Sequence, residues 1–171
     1  MTNLIRSPAS ALAGVVLVTG LAACSNDSQA PATSAVPGSV ATAPASPAAG
    51  SDSALAMEAL VGPEGEYAAT AAYAAVIERF GPVEPYVSIK AAEDRHVEAL
   101  VRQLERAGVE VPPNPYVGTI PAPDDLGVAA QAWADGEVAN VEMYDGLLAR
   151  TTDPTLTRVL TNLRRASQDL H

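Results

Sequence analysis

Apolar residues follow two different rhythms along this chain. From Ala11 to Val18 they run almost without interruption, and small and apolar residues continue as far as Ala23. From about Ser53 onward they recur with the 3.6-residue period of an α-helix, and no strand-like alternation appears. Between the two, Ser25 to Asp52 is almost wholly Ser, Ala, Pro, Thr and Gly, with little that could form a core.

The periodic part predicts helices punctuated by glycine and proline. A first helix runs from Ser53 to Phe80 and stops at Gly81-Pro82; Gly62-Pro63 imposes a kink or splits off a short leading helix. A second runs from about Pro85 to Ala107 and stops at Gly108. A third begins at Asp124-Asp125, suited to an N-cap and a first turn, and ends near Arg150. Pro154 then opens a fourth as its first helical residue.

The joints set the topology. Short turns make the first and second helices, and the third and fourth, antiparallel hairpins. The segment Val109 to Pro123, with Pro112, Pro113, Pro115, Pro121 and Pro123, is an extended connection able to span about 45 Å. That length carries the chain back along a bundle and sets the third helix parallel to the second. The expectation is an all-α fold, a four-helix bundle with one long Pro-rich crossover between helices two and three, which is the ferritin-like topology.

The inward stripes carry residues that do not belong in an apolar core. Helix two reads Ile89, Glu93, His96, Leu100, Leu104, while Asp94, Glu98, Arg102 and Glu105 take its wet face. Helix three reads Leu126, Ala130, Trp133, Glu137, Asn140, Tyr144, Leu147, and helix one reads Glu66, Thr70, Tyr73, Ile77, Phe80. Three helices thus point Glu66, Glu93, His96 and Glu137 inward. Buried carboxylates without a partner cost several kcal/mol each, and no lysine or arginine lies on these stripes. A bound metal ion would resolve the conflict. Glu and His donors at Glu-x-x-His spacing suit iron or manganese.

Charge and the N-terminus narrow the setting. Ten Lys+Arg stand against 20 Asp+Glu, a formal net charge of −10. So acidic a surface repels nucleic acid and anionic headgroups and excludes nucleic-acid binding. Arg6, the Ala11–Val18 apolar run and Leu21-Ala22-Ala23-Cys24 read as an export signal, residues 1–23, ending in what resembles the lipobox of bacterial lipoproteins. The apolar run is shorter than the roughly 18–20 residues a spanning helix needs, which weighs against a transmembrane anchor. The chain would be cut before Cys24 and acylated on its thiol, palmitate being one of the fatty acids expected. Residues 24–52 form a stalk and 53–171 a domain held at the outward face of the cell envelope. Its membrane contact is through lipid alone, a protein partner is left open, and a homodimer is allowed. Cys24 is the only cysteine, so no intrachain disulfide exists.

The segment Glu64 to Leu170 resembles the ferritin-like bacterial family catalogued as domain of unknown function 2202. The resemblance rests on Glu64-Gly65-Glu66 followed by Tyr73, on Ala92-Glu93-Asp94-Arg95-His96, on Asp153-Pro154, and on Asn162-Leu163-Arg164-Arg165-Ala166-Ser167. It implies that Glu66, Glu93, His96 and Glu137 are di-iron carboxylate-type ligands with Glu93 bridging. Tyr73 would stand behind Glu66, with Asn140 and Tyr144 also flanking the ligands. In the full di-iron pattern the fourth helix gives a second Glu-x-x-His; here the stretch is Ser167-Gln168-Asp169-Leu170. Only Asp169 or His171 could substitute. Counted from the Gly81 turn, Glu66 also stands about 6 Å beyond the height of Glu93.

Two functions follow from these residues. One is a metal protein that oxidises Fe(II) or reduces peroxide; the other is a non-catalytic envelope module with a degenerate metal site. Two histidines and one cysteine assemble neither a Cys-His pair nor a Ser-His-Asp arrangement. No phosphate-binding glycine loop or His-Glu metalloprotease motif is present.

Overall fold

The structure is a computed structural model that describes residues 46–169. The export signal, Cys24, the stalk up to residue 45 and His171 lie outside the described residues. The described part is all-helical: α1 (Asp52–Val61), α2 (Glu66–Phe80), α3 (Tyr86–Arg106), α4 (Leu126–Leu148) and α5 (Pro154–Asp169).

Each boundary has a local cause. The Ser51 hydroxyl accepts from the Ala54 amide at 3.2 Å and starts α1; Gly62-Pro63 ends it, so the interruption read in the first helix separates two helices. Gly81 stops α2 at φ 83°, a left-handed conformation that favours glycine. The Asp125 carboxylate caps α4 by accepting from the Val128 amide at 2.9 Å. Pro154 is the first residue of α5, and Asp153 accepts from the Leu156 amide at 2.6 Å. Asp52, read as the last stalk residue, belongs to the fold. Its carboxylate accepts from the Thr151 hydroxyl and the Thr152 amide, tying α1 to the start of α5.

The helices α2 and α3 pack as one hairpin and α4 and α5 as another, while α1 lies chiefly on α3. The long connection is pinned along its course. Tyr67 donates to the Pro112 carbonyl at 3.0 Å, Asn114 to the Tyr67 carbonyl at 2.9 Å, and Tyr116 to the Val61 carbonyl at 2.9 Å. Two apolar clusters result. Leu55, Leu60, Leu100, Leu104, Leu147 and Leu160 fill one end; Tyr73, Val76, Tyr86, Ile89 and Ala129 fill the other. Between them runs a buried polar belt of Glu66, Glu93, His96, Glu137, Asn140 and Ser167.

The inward stripe of α4 departs from the sequence reading at its start. Ala129 is buried where Ala130 was expected, and Leu126 is 41 % exposed. The observed line Ala129, Trp133, Glu137, Asn140, Tyr144, Leu147 keeps to the four- and three-residue steps of a helix facing one neighbour.

Candidate metal centre

Glu66 is the first residue of α2, and its place depends on Gly65. A Cβ on Gly65 would come 2.5 Å from the Ala59 carbonyl oxygen, so only glycine lets the chain pass this close to α1 before turning into α2. The start of a helix, with its unpaired amides, also favours a carboxylate. Glu93 and His96 lie three apart on α3 and share one face.

One ligand atom from each of Glu66, Glu93 and His96 lies within 4.8 Å of the others. The His96 Nδ1 is 3.0 Å from Glu93 Oε2 and 3.4 Å from Glu66 Oε2. Glu66 is fully buried and Glu93 nearly so. Among the described residues, Glu66 Oε2 and Glu93 Oε1 have no hydrogen-bond partner. The height gap expected between Glu66 and Glu93 is thus closed. His96 stands about 4.5 Å further along α3 than Glu93 and reaches the level of Glu66.

The remaining belt residues pair in a pattern the sequence reading did not foresee. Tyr73, expected behind Glu66, donates instead to Glu137 Oε1 at 2.8 Å. Tyr144 donates to Glu66 Oε1. The two pairs are rungs between α2 and α4: seven residues separate Glu66 from Tyr73 on one helix and Glu137 from Tyr144 on the other, in opposite chain directions. Tyr73 lies two turns, about 10 Å, from Glu66 along its own helix and meets the partner opposite. Glu137 is buried in the same belt, but its carboxylate stands outside the close trio.

The fourth-helix contribution is also different. Asp169 is exposed and does not turn in. Ser167 takes the buried position on α5 and donates to Asn140 Oδ1 at 2.7 Å, while the Asn140 amide donates to the Glu64 carbonyl at 2.9 Å. A hydrogen-bond chain thus runs from α5 through α4 to the turn before α2. Serine inside an otherwise apolar heptad of α5 (Leu156, Leu160, Leu163) was the available signal.

Proton affinities follow from burial and neighbours. Burial pushes the Glu93 carboxyl up to about 8, with Glu66 beside it adding to the effect. For Glu66 burial acts upward as well, but His96, Glu93 and Tyr144 beside it outweigh it and hold the carboxyl low. Burial acts to lower His96; the two carboxylates overcome it and push the imidazole up to about 10. Burial also raises the Glu137 carboxyl. Near pH 7 and without a metal ion, these shifts favour an imidazolium between one carboxylate and one carboxylic acid. The same donor set, two carboxylates and an imidazole in a dry pocket, fits a single divalent cation, and the two unpartnered oxygens are where such an ion would be expected to bind.

Beside the trio lies a cavity of about 300 Å³ whose lining includes Glu93, Glu137, Tyr73, Tyr86 and Trp133. It exists because small residues face one another across it: Ala68, Ala69 and Ala72 on α2 opposite Ala129, Ala132 and Gly136 on α4. Each of these small residues is ordinary on its own helix, and the space arises only where the two sets meet.

Comparison of this chain with protein-family models, with curated proteins and with solved structures gives no match.

Proposed function

We propose that this chain is an exported, lipid-anchored protein of the ferritin-like type that holds one divalent transition-metal ion at Glu66, Glu93 and His96. The observation that carries the reading is the buried trio itself, with donor atoms within 4.8 Å and two carboxylate oxygens left unpartnered. The antiparallel rungs between α2 and α4 support a four-helix bundle with a crossover. Imidazole and carboxylate donors favour iron or manganese over softer ions. Bound there, such an ion supplies redox chemistry toward Fe(II) or peroxide. The protein orients Glu66 through Tyr144 and keeps Glu137 in place through Tyr73.

Calorimetric titration of the mature domain with Mn(II) or Fe(II) under anaerobic conditions should give about one ion per chain. Glu93→Ala and His96→Ala should each weaken uptake by roughly 10-fold or more, and the metal-dependent rise in melting temperature should vanish with them. Absence of uptake in the unaltered protein removes the reading. A second reading, a non-catalytic envelope module, is favoured by one observation. The Ser167–Asn140 bond occupies the position where a second metal would need a carboxylate. It predicts one-ion binding, or none, without turnover.

The anchor is tested separately. Expressed with its N-terminus intact, the chain should partition into the detergent phase and carry an acyl-modified N-terminal Cys24 by mass spectrometry. Cys24→Ser should release it to the aqueous phase or leave it uncut. Equal partitioning of both forms refutes the anchor.

A further inference from the structure

The cavity beside the trio combines three properties that together select a ligand. Its walls are aromatic and aliphatic: Tyr73, Val76, Tyr86, Trp133 and Ile120. Its charged lining residues, Glu64, Glu93 and Glu137, are all acidic; among the described residues no lysine, arginine or histidine lines it. Its size, about 300 Å³, is roughly twice the ~150 Å³ of an engineered apolar cavity that binds benzene. Tyr86 and Trp133 meet edge to face with ring centroids 6.4 Å apart, which holds the Trp133 indole in a fixed orientation.

We infer that this cavity is a binding site for a small apolar organic amine, bound as its ammonium with the charge toward Glu137 and the hydrocarbon body among the aromatic rings. A neutral hydrocarbon of the same shape would satisfy the walls and leave the carboxylates unanswered. An organic anion would meet three acidic side chains. An ammonium gains an ion pair at Glu137, whose carboxylate is already oriented by the Tyr73 hydroxyl at 2.8 Å, and attraction to the ring faces. Ala132 and Gly136 of α4 are exposed at the rim, which gives an entry beside the crossover residues Ile120 and Pro121. The cavity and the proposed metal trio share Glu93, while Glu66 and His96 do not line the cavity.

Trp133 is the only tryptophan, so its fluorescence reports on the cavity directly. Metal-free and Mn(II)-loaded mature protein should be titrated with 2-phenylethylammonium, with propylbenzene and with 3-phenylpropanoate. The amine should change the emission saturably in both forms and bind at least about tenfold more tightly than either analogue. Glu137→Gln should weaken the amine by a similar factor, and Ala72→Leu, which fills the cavity, should abolish the response. Ala72→Leu should keep the metal-dependent rise in melting temperature, and Glu137→Gln should keep a cooperative thermal melt, which shows that both variants fold. Equal binding of amine and propylbenzene, an amine affinity unchanged by Glu137→Gln, or no response to the amine overturns the inference. None of these outcomes bears on metal uptake, which calorimetry reads independently.

Discussion

Replacing His96 by alanine should destabilise the metal-free protein by about 3–5 kcal/mol near neutral pH, lowering its melting temperature by on the order of 10 °C or more. Among the described residues the imidazole is the only basic group in the buried belt, and its Nδ1 faces Glu93 at 3.0 Å and Glu66 at 3.4 Å. Removing it leaves the Glu66 carboxylate in a fully buried position with one hydrogen bond, from Tyr144. The loss is that of an uncompensated buried charge, which exceeds the net worth of the ion pair that was there. Glu93→Gln is the contrasting variant. Because the Glu93 carboxyl holds its proton up to about pH 8, an amide there resembles the form already present at pH 6 and should cost little. Combining Glu66→Gln with His96→Ala should recover much of the stability lost in His96→Ala alone. Thermal melts of the four proteins at pH 6 and 7 decide the matter. A His96→Ala midpoint within a few degrees of the parent would mean that water already reaches the trio, and the dry-pocket account would fall.

The parts of this molecule that were legible in the sequence are those that depend on one helix at a time. Gly81, Gly108, Asp125 and Pro154 mark ends because φ and capping chemistry are local, and the structure places the ends within a residue or two of them. Glu93 and His96 were legible because a three-residue step on a helix fixes a shared face. What escaped depends on register between helices. Tyr73 was assigned to Glu66 because both lie on α2, yet side chains two turns apart on one helix meet partners across the interface, so Tyr73 found Glu137 and Tyr144 found Glu66. The height gap at Glu66 was a count of residues from a turn, blind to His96 standing one turn nearer. Asp169 was considered as a ligand for its chemistry, while α5 presents Ser167 on its inner face with Leu156, Leu160 and Leu163 and leaves Asp169 outside. The cavity escaped for a related reason. Each alanine of α2 and α4 is unremarkable on its own helix, and the space appears only where the two sets face each other.

Raising the pH should weaken the metal-free protein and strengthen metal binding, so the two effects run in opposite directions over the same range. His96 is shifted from 6.5 up to about 10. A raised imidazole contributes stability that is fully present below about pH 6.5 and is lost as pH climbs toward 10. Glu93 is shifted from 4.5 up to about 8; the folded chain holds that proton more tightly than the unfolded one, so stability again declines as pH rises from about 4.5 to 8. Glu66, held below 4.5, has the opposite sign and contributes stability that is lost only on acidification below that value. The metal-free melting temperature should therefore be greatest near pH 4.5, decline as Glu93 and then His96 lose their extra affinity for protons, and fall by on the order of 5–10 °C by pH 9. An ion at the trio requires both His96 and Glu93 to give up their protons, so its apparent affinity should rise between about ten- and a hundredfold per pH unit from pH 6 to 8. Melts at pH 6, 7, 8 and 9 with and without excess Mn(II) should show curves that diverge as pH rises. Calorimetry in buffers of different ionisation enthalpy should register one to two protons released per ion near pH 7. Metal binding without proton release would place the ion away from His96 and Glu93, because no cation can share that pocket with both of their protons.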